Sequence, residues 1–267
     1  HKKMSAMCGR RSVEIVKENL LPNKIITSSS VENDVKVAMA VGCSTNAIIH
    51  LVAIARRAGI NLELKEFDKL SKEIPVMANI RPTGNKYLME DFYYAGGLLS
   101  LIKELSSKLD LSCITINGKT IKQNLKNVQT YDQDVIRPLS NPVYHQGSLA
   151  VLKGNIAPNG AVMKPAAAEK RLHIHKGPAL VFDSYPEMKK SVDDENLDVT
   201  PDHILVFSNA GPVGGPGMPE WGMLPIPKKL IKLGVRDMLR ISDARMSGTS
   251  YGACILHVSP EAFIGGP

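Results

Sequence analysis

The sequence predicts an α/β chain in two parts, with α/β material up to about residue 140 and a β-rich part after it. Two observations predict this. Helix-period apolar spacing dominates the first third of the chain. From about Arg137, Pro138, Pro142, Gly147, Gly154, Pro158, Gly160 and Pro165 cut the sequence into short apolar segments. With 267 residues, 43% hydrophobic and 22% charged, the composition is that of a globular protein with enough apolar content for a real core.

In the first part, Ser29 and Glu32 have capping-box spacing. Val31, Val35 and Met39 follow at four-residue intervals, and Gly42 supplies a stop. Ser44 or Thr45 can cap a second helix over residues 46–58, which ends on Arg56-Arg57 before Gly59. Its apolar residues cover nearly the whole circumference, which predicts a buried helix with His50 as a satisfied core histidine. Residues 74–80 read as a short strand, and Leu98, Leu101, Ile102 and Leu105 mark a further amphipathic helix. In the second part, residues 149–153, 161–164, 179–183, 203–207 and 237–241 read as strands. Residues 185–192 and 227–233 read as the few helices. The boundary falls near residue 140, giving segments 1–140 and 141–267.

The net charge of +7 is spread in short basic doublets and aromatics are only 5%, which argues against a nucleic-acid platform; an anionic small molecule explains the charge equally well. No run approaches the roughly 18 apolar residues of a membrane span. The four cysteines, Cys8, Cys43, Cys113 and Cys254, form no C-x-x-C pair and no disulfide framework, as expected in a reduced, cytoplasmic setting. The opening His1-Lys2-Lys3-Met4 reads as cut from a longer chain.

Two segments can carry chemistry. The first, residues 208–221, follows a strand and holds four glycines and three prolines, so main-chain amides can approach a ligand closely; a long connecting loop fits it equally well. It does not keep dinucleotide-fingerprint spacing. Its Glu220, beside the only Trp, is a candidate ligand for a hard cation or else a solvated carboxylate. The second, residues 241–252, contains Ser247-Gly248-Thr249, two hydroxyls beside a flexible residue that can hold a carboxylate or form an ordinary polar turn. No G-x-S-x-G elbow is present. Cys43 precedes a helix N-terminus, which lowers a thiol pKa, though a structural buried cysteine is the favoured reading. His173, His175 and His257 lack partners at metal-site spacing apart from the H-x-H pair itself.

Five motifs in order make the chain similar to a known family. They are Gly42-Cys43-Ser44-Thr45-Asn46-Ala47, the run from Tyr87 to Gly97, Lys153-Gly154-Asn155-Ile156-Ala157-Pro158, Gly215-Pro216-Gly217-Met218-Pro219-Glu220, and Ser242-Asp243-Ala244-Arg245-Met246-Ser247-Gly248-Thr249. Together they resemble the iron–sulfur dihydroxy-acid and 6-phosphogluconate dehydratases over essentially the whole chain. The Asp243–Thr249 form is most similar to the pentonate and related sugar-acid dehydratases.

The resemblance implies the end of an N-terminal α/β domain followed by a barrel-like, swivelling C-terminal domain, incomplete at its end, with the active site between them. It implies dehydration of a 2,3-dihydroxy sugar acid such as arabinonate, xylonate or gluconate to a 2-keto-3-deoxy acid. In that reaction Ser247 is the base, Thr249 lines the substrate site and Glu220 is a Mg²⁺ ligand. A 2Fe-2S iron–sulfur cluster is implied with its ligands outside this chain, as is a homodimer or homotetramer with no nucleic-acid or membrane partner. The alternatives are a branched-chain dihydroxy-acid dehydratase and a truncated, non-catalytic homologue. Two departures stand out: Cys43 replaces a usual Gly and takes no cluster role, and Asn159 stands where Asp is common.

Overall fold

The computed structural model describes residues 2–215, 224–246 and 251–267. Ser247, Thr249 and Glu220 therefore lie outside the described residues.

The first part is helical. Helix α1 (Lys2–Lys17) buries no residue and is tied down by Arg11, whose Nε donates to the Ile116 carbonyl at 2.8 Å. After the short α2 (Pro22–Ile25) comes α3 (Ser28–Val41). Its cap is Thr27, two residues before the predicted Ser29: the Thr27 Oγ1 accepts from the Ser30 N–H at 3.2 Å, and the Ser30 Oγ accepts from the Thr27 N–H at 2.9 Å. Glu32 pairs instead with Lys36 one turn on, at 2.7 Å. Val31, Val35 and Met39 are buried as their spacing predicts. Gly42 ends the helix at φ 78°, and a Cβ there would come within 2.8 Å of the Thr83 hydroxyl.

Helix α4 (Asn46–Arg57) corrects an expectation. Only Asn46, Ile48 and Ala55 are buried, while His50 is exposed and Ile54 is 49% exposed. The helix packs along one face on α3, so an apolar circumference did not translate into burial on all sides. The cap oxygen is that of Ser44, accepting from the Asn46 N–H at 3.3 Å.

Helix α5 (Leu64–Glu73) sinks Phe67 and Leu70 against α3. The predicted strand at 74–80 is an extended, buried segment with isolated bridges from Val76 to Tyr144, Ala78 to Ile136 and Ile80 to Tyr87. Its partners come from three separate segments, so no ladder propagates. Helices α6 (Met89–Tyr94), α7 (Gly97–Glu104) and α8 (Ile121–Asn124) complete this part. Helix α7 buries Leu101 and leaves Leu98 51% exposed, while Leu105, which caps its end, is also fully buried.

The second part is built on one mixed sheet. Its strands are β1 (Ala150–Gly154), β2 (Ala157–Met163), β3 (Ala179–Phe182), β4 (Ile204–Phe207), β5 (Arg240–Ser242) and β6 (Cys254–Ser259), in the order β1-β2-β6-β5-β4-β3. The pairs β1–β2 and β2–β6 are antiparallel, whereas β3, β4, β5 and β6 run parallel. Helix α9 (Tyr185–Ser191) connects β3 to β4 and α10 (Lys228–Lys232) lies between β4 and β5, as crossovers between parallel strands require. The fold is thus mixed α/β overall, with a helical first part and, among the described residues, the strands confined to the second.

Among the described residues, three apolar clusters form the core. The first joins α3, α4, α5 and α7 and extends to Leu149 and Val162 on the β1–β2 side. The second lies under the parallel strands, around Leu205, Phe207, Leu224 and Met238. A small third cluster contains Met163, Leu172, Leu239 and Ala253. Among the described residues, no helix is long and apolar enough to cross a membrane.

Candidate functional site

Strands β4 and β5 are parallel neighbours in register, with Leu205 opposite Arg240 and Phe207 opposite Ser242. The two segments singled out from the sequence therefore leave the same end of the sheet side by side. One follows Phe207 and contains Glu220; the other follows Ser242 and contains Ser247 and Thr249. The carboxyl ends of parallel strands are where open α/β sheets place ligands, because the loops there converge over unpaired strand ends.

Buried polar groups fix where both segments begin and end. Arg240 and Asp237 have side chains 1% and 0% exposed and form an ion pair at 3.1 Å. The Arg240 Nη1 donates to the Leu224 carbonyl at 3.2 Å and its Nη2 to the Tyr251 carbonyl at 2.5 Å. Leu224 and Tyr251 are the first described residues after each site-bearing segment, so one guanidinium ties the two together. Asp237 accepts from the Ala253 N–H at 2.9 Å and from the Glu169 N–H at 3.0 Å, which satisfies its charge. Gly252, at φ 95°, has no room for a Cβ beside Asp237 and Arg240.

The entry side is held by two carboxylates. Asp243 accepts from the Ala210 N–H at 3.0 Å and the Ala262 N–H at 3.1 Å, and burial pushes its carboxyl up from the usual range. Glu261 accepts from the Val213 N–H at 3.0 Å and the Gly214 N–H at 2.9 Å. The Leu224 N–H meets the Met246 sulfur at 3.4 Å, a direct link between the two segments. From the first part of the chain, the Asn46 Nδ2 donates to the Met246 carbonyl at 2.9 Å across 200 residues of sequence. Two of the motifs read from the sequence thus meet beside Ser247.

Around this junction sit groups that the sequence did not single out correctly. His50, expected in the core, is exposed, with its Nε2 at 3.4 Å from Arg245 Nη2. His257 is held at φ 56°, a conformation costing a bulky residue about 1 kcal/mol or more. Among the described residues, both its ring nitrogens and the Arg245 Nε are buried without a hydrogen-bond partner. Burial, reinforced by the Arg245 charge, pushes the imidazole down to about 4, so it is neutral near pH 7. A cavity of about 400 Å³ opens there, lined by Ile49, Asn159, Asp243, His257 and Glu261 among others.

Cys43 follows its favoured reading as a structural cysteine. Burial pushes its thiol up to about 11, against the pull of the Lys164 ammonium and the Ser148 hydroxyl, so its position before a helix does not make it reactive. Lys164 is only 7% exposed, donates to the Gly42 carbonyl at 3.1 Å, and has its pKa lowered by desolvation. Its only mark in the sequence is a lysine ending an apolar run. Among the described residues, His173 and His175 reach only backbone carbonyls, those of Pro165 at 3.1 Å and Asp202 at 2.9 Å. Among the described residues, no three His, Cys, Asp or Glu side chains form a metal-binding group.

Comparison with known proteins agrees with these motifs. Residues 1–124 match the family model described as dihydroxy-acid/6-phosphogluconate dehydratase N-terminal, and residues 134–267 match its C-terminal counterpart. The chain is 52% identical to a 6-deoxy-6-sulfo-D-gluconate dehydratase of Pseudomonas putida, over 100% of this chain and 46% of that protein. It is 46% identical to an L-arabinonate dehydratase of Rhizobium leguminosarum bv. trifolii, again over 100% of this chain and 46% of the relative. A dihydroxy-acid dehydratase of Methanosarcina barkeri is 43% identical over 97% of this chain and 47% of its own length. The chain therefore spans about half the length of these relatives. Both halves matching in order, together with five shared motifs, show that this chain belongs to the dihydroxy-acid/6-phosphogluconate dehydratase family.

Proposed function

We propose that this chain is part of a hydro-lyase that removes water from a sugar acid, a 2,3-dihydroxy carboxylate such as arabinonate, xylonate or gluconate, to give a 2-keto-3-deoxy acid. The observation that carries this reading is that the segments containing Glu220 and Ser247–Thr249 follow the adjacent carboxyl ends of β4 and β5, while Arg240 ties Leu224 and Tyr251, the described residues that come after them. The similarity to dehydratases acting on sulfogluconate and arabinonate supports the same substrate class.

In this reading Ser247, as its alkoxide, takes the proton from carbon 2 and becomes a hydroxyl again, the hydroxyl leaves carbon 3, and the resulting enol tautomerises to the ketone. Thr249 holds the substrate carboxylate. A 2Fe-2S cluster and a Mg²⁺ ion with Glu220 among its ligands, when bound, supply Lewis acidity to the departing hydroxyl. Cys8, Cys43, Cys113 and Cys254 form no metal-binding group among the described residues, so these residues do not fit a cluster; in this reading the chain by itself is inactive. The division near residue 140, a barrel-like, swivelling second domain, a homodimer or homotetramer, a cytoplasmic location and the lack of nucleic-acid or membrane partners belong to the same reading.

The test is turnover by the full-length protein. Arabinonate, xylonate and gluconate are expected to exceed 2,3-dihydroxyisovalerate in kcat/KM, because a site built to satisfy several hydroxyls rejects analogues lacking them. The reverse preference replaces the sugar-acid reading with the branched-chain one. Ser247→Ala is expected to lower kcat by at least about 100-fold with metal content retained. Glu220→Gln is expected to weaken Mg²⁺ binding, with part of the activity recovered by added Mg²⁺.

A further inference from the structure

The α6–α7 pair leaves an apolar face uncovered. From Phe92 to Ile102 no residue carries a charge. Phe92, Ala95 and Leu101 of that run sink into the first apolar cluster, while Tyr93, Tyr94, Leu98 and Leu99 are exposed. Met89, one turn before Tyr93, extends the exposed side, as does Tyr131, whose N–H donates to the Ala95 carbonyl at 2.9 Å. These six residues are between 49% and 75% exposed. With roughly 200 Å² available on each large side chain, they present on the order of 700 Å² of mostly apolar surface. The largest apolar patch of a typical monomer is about 300–600 Å². One side of a stable dimer interface is about 800 Å².

The residue types and their order point to one kind of occupant. Three of the six are tyrosines, which suit a surface that is apolar across the ring and wet at the hydroxyl, as interfaces are and cores are not. The Tyr93 and Tyr94 rings stand edge to face with centroids 5.4 Å apart, so their orientation is set before a partner arrives. Charge sits only at the two ends. Glu90 lies at the start of α6 and Lys103 near the end of α7, both exposed, and among the described residues neither has an ion-pair partner. A twofold contact sets a patch against itself, so a charged centre would face its like; here the centre is uncharged.

We propose that this face docks on the same face of a second copy of this chain, antiparallel about a twofold axis. The tyrosines and leucines form the centre, and Glu90 of each copy lies opposite Lys103 of the other. The inference rests on the homo-oligomer part of the reading above and supplies its surface; it is independent of the dehydration chemistry.

The experiment uses the full-length protein in sedimentation equilibrium over a concentration series, with circular dichroism to follow folding. The native protein is expected to be a dimer or a tetramer built from such dimers. Tyr94→Glu enters the contact twice and should raise its dissociation constant by about 100-fold or more, the scale of a lost hot spot. Glu90→Lys and Lys103→Glu should each weaken the contact by about tenfold or more, by setting like charges together. An equimolar mixture of those two single variants should return to within about threefold of native affinity, because the mixed dimer restores opposite charges at both ends. No contact within one chain produces recovery in trans, so the mixture decides the matter even if Tyr94→Glu fails to fold. A mixture that does not recover overturns the inference, as does a native oligomer that any of the three substitutions leaves intact. A native monomer overturns it together with the homo-oligomer expectation, and the sugar-acid reading is then judged by turnover alone. In that case, loss of fold on Tyr94→Glu would show the face to be covered by the protein's own further residues.

Discussion

The two parts of the chain bury different chemistry. In the helical part, Val35, Met39, Met77, Leu101 and Leu105 are fully buried, and the buried polar residues there are uncharged ones such as Asn33, Asn79 and Ser100. Among the described residues, all five buried charged ones, Lys164, Asp237, Arg240, Asp243 and Glu261, fall after residue 140. Four of them hold backbone at the borders of the segments containing Glu220 and Ser247. Apolar packing is non-directional and yields gradually as volume is removed. A buried ion pair fixes direction but fails abruptly, since losing one partner strands the other. The helical part is therefore a support, and the sheet end is a positioning device.

The sharpest way to break that contrast is Asp237→Asn. It leaves the Arg240 charge buried and unpaired, and is expected to cost about 4 kcal/mol in chemical denaturation. Faster amide exchange should follow at Ala253 and Glu169, whose N–H groups Asp237 accepts. Leu101→Ala in the helical core is the matched apolar test, at about 3 kcal/mol with exchange at the sheet end unchanged. If Leu101→Ala disturbed the sheet end as much as Asp237→Asn does, the two parts would not be distinct in this way.

A smaller effect comes from His257. Its imidazole titrates near 4 when folded against an ordinary value of 6.5, so below pH 6.5 the unfolded chain binds the proton that the folded chain refuses. The stability this confers is whole above pH 6.5 and is lost as pH falls towards 4, by roughly 2 kcal/mol after allowance for partial exposure. His257→Asn, which tolerates the positive φ, should flatten that part of the pH–stability profile. The smallest effect is expected from Lys164→Met. It keeps the packed stem and removes a desolvated charge, so stability should stay within about 1 kcal/mol of the parent or rise. A loss of several kcal/mol would show the ammonium to be a structural tie like Arg240.

Much of this was legible from the residues alone. The spacing of Val31, Val35 and Met39 and the stop at Gly42 define α3. The runs 149–153, 179–183 and 203–207 coincide closely with β1, β3 and β4, while 161–164 catches only the end of β2, which begins at Ala157. Five ordered motifs identify the family. These are local properties, in which period, turn chemistry and motif order are written in neighbouring residues.

What the tertiary structure decided is what depends on neighbours far away in sequence. Helix α4 is apolar on nearly every side, yet only the face that meets other elements is buried, so His50 is exposed. Cys43 precedes a helix, yet burial beside Lys164 and Ser148 raises its pKa. Asp237 and Arg240 look in sequence like an ordinary surface pair three residues apart, and become the tie between two segments only when β4, β5 and β6 align. Burial and electrostatic environment are set by contacts among distant segments, and no window of sequence contains those contacts.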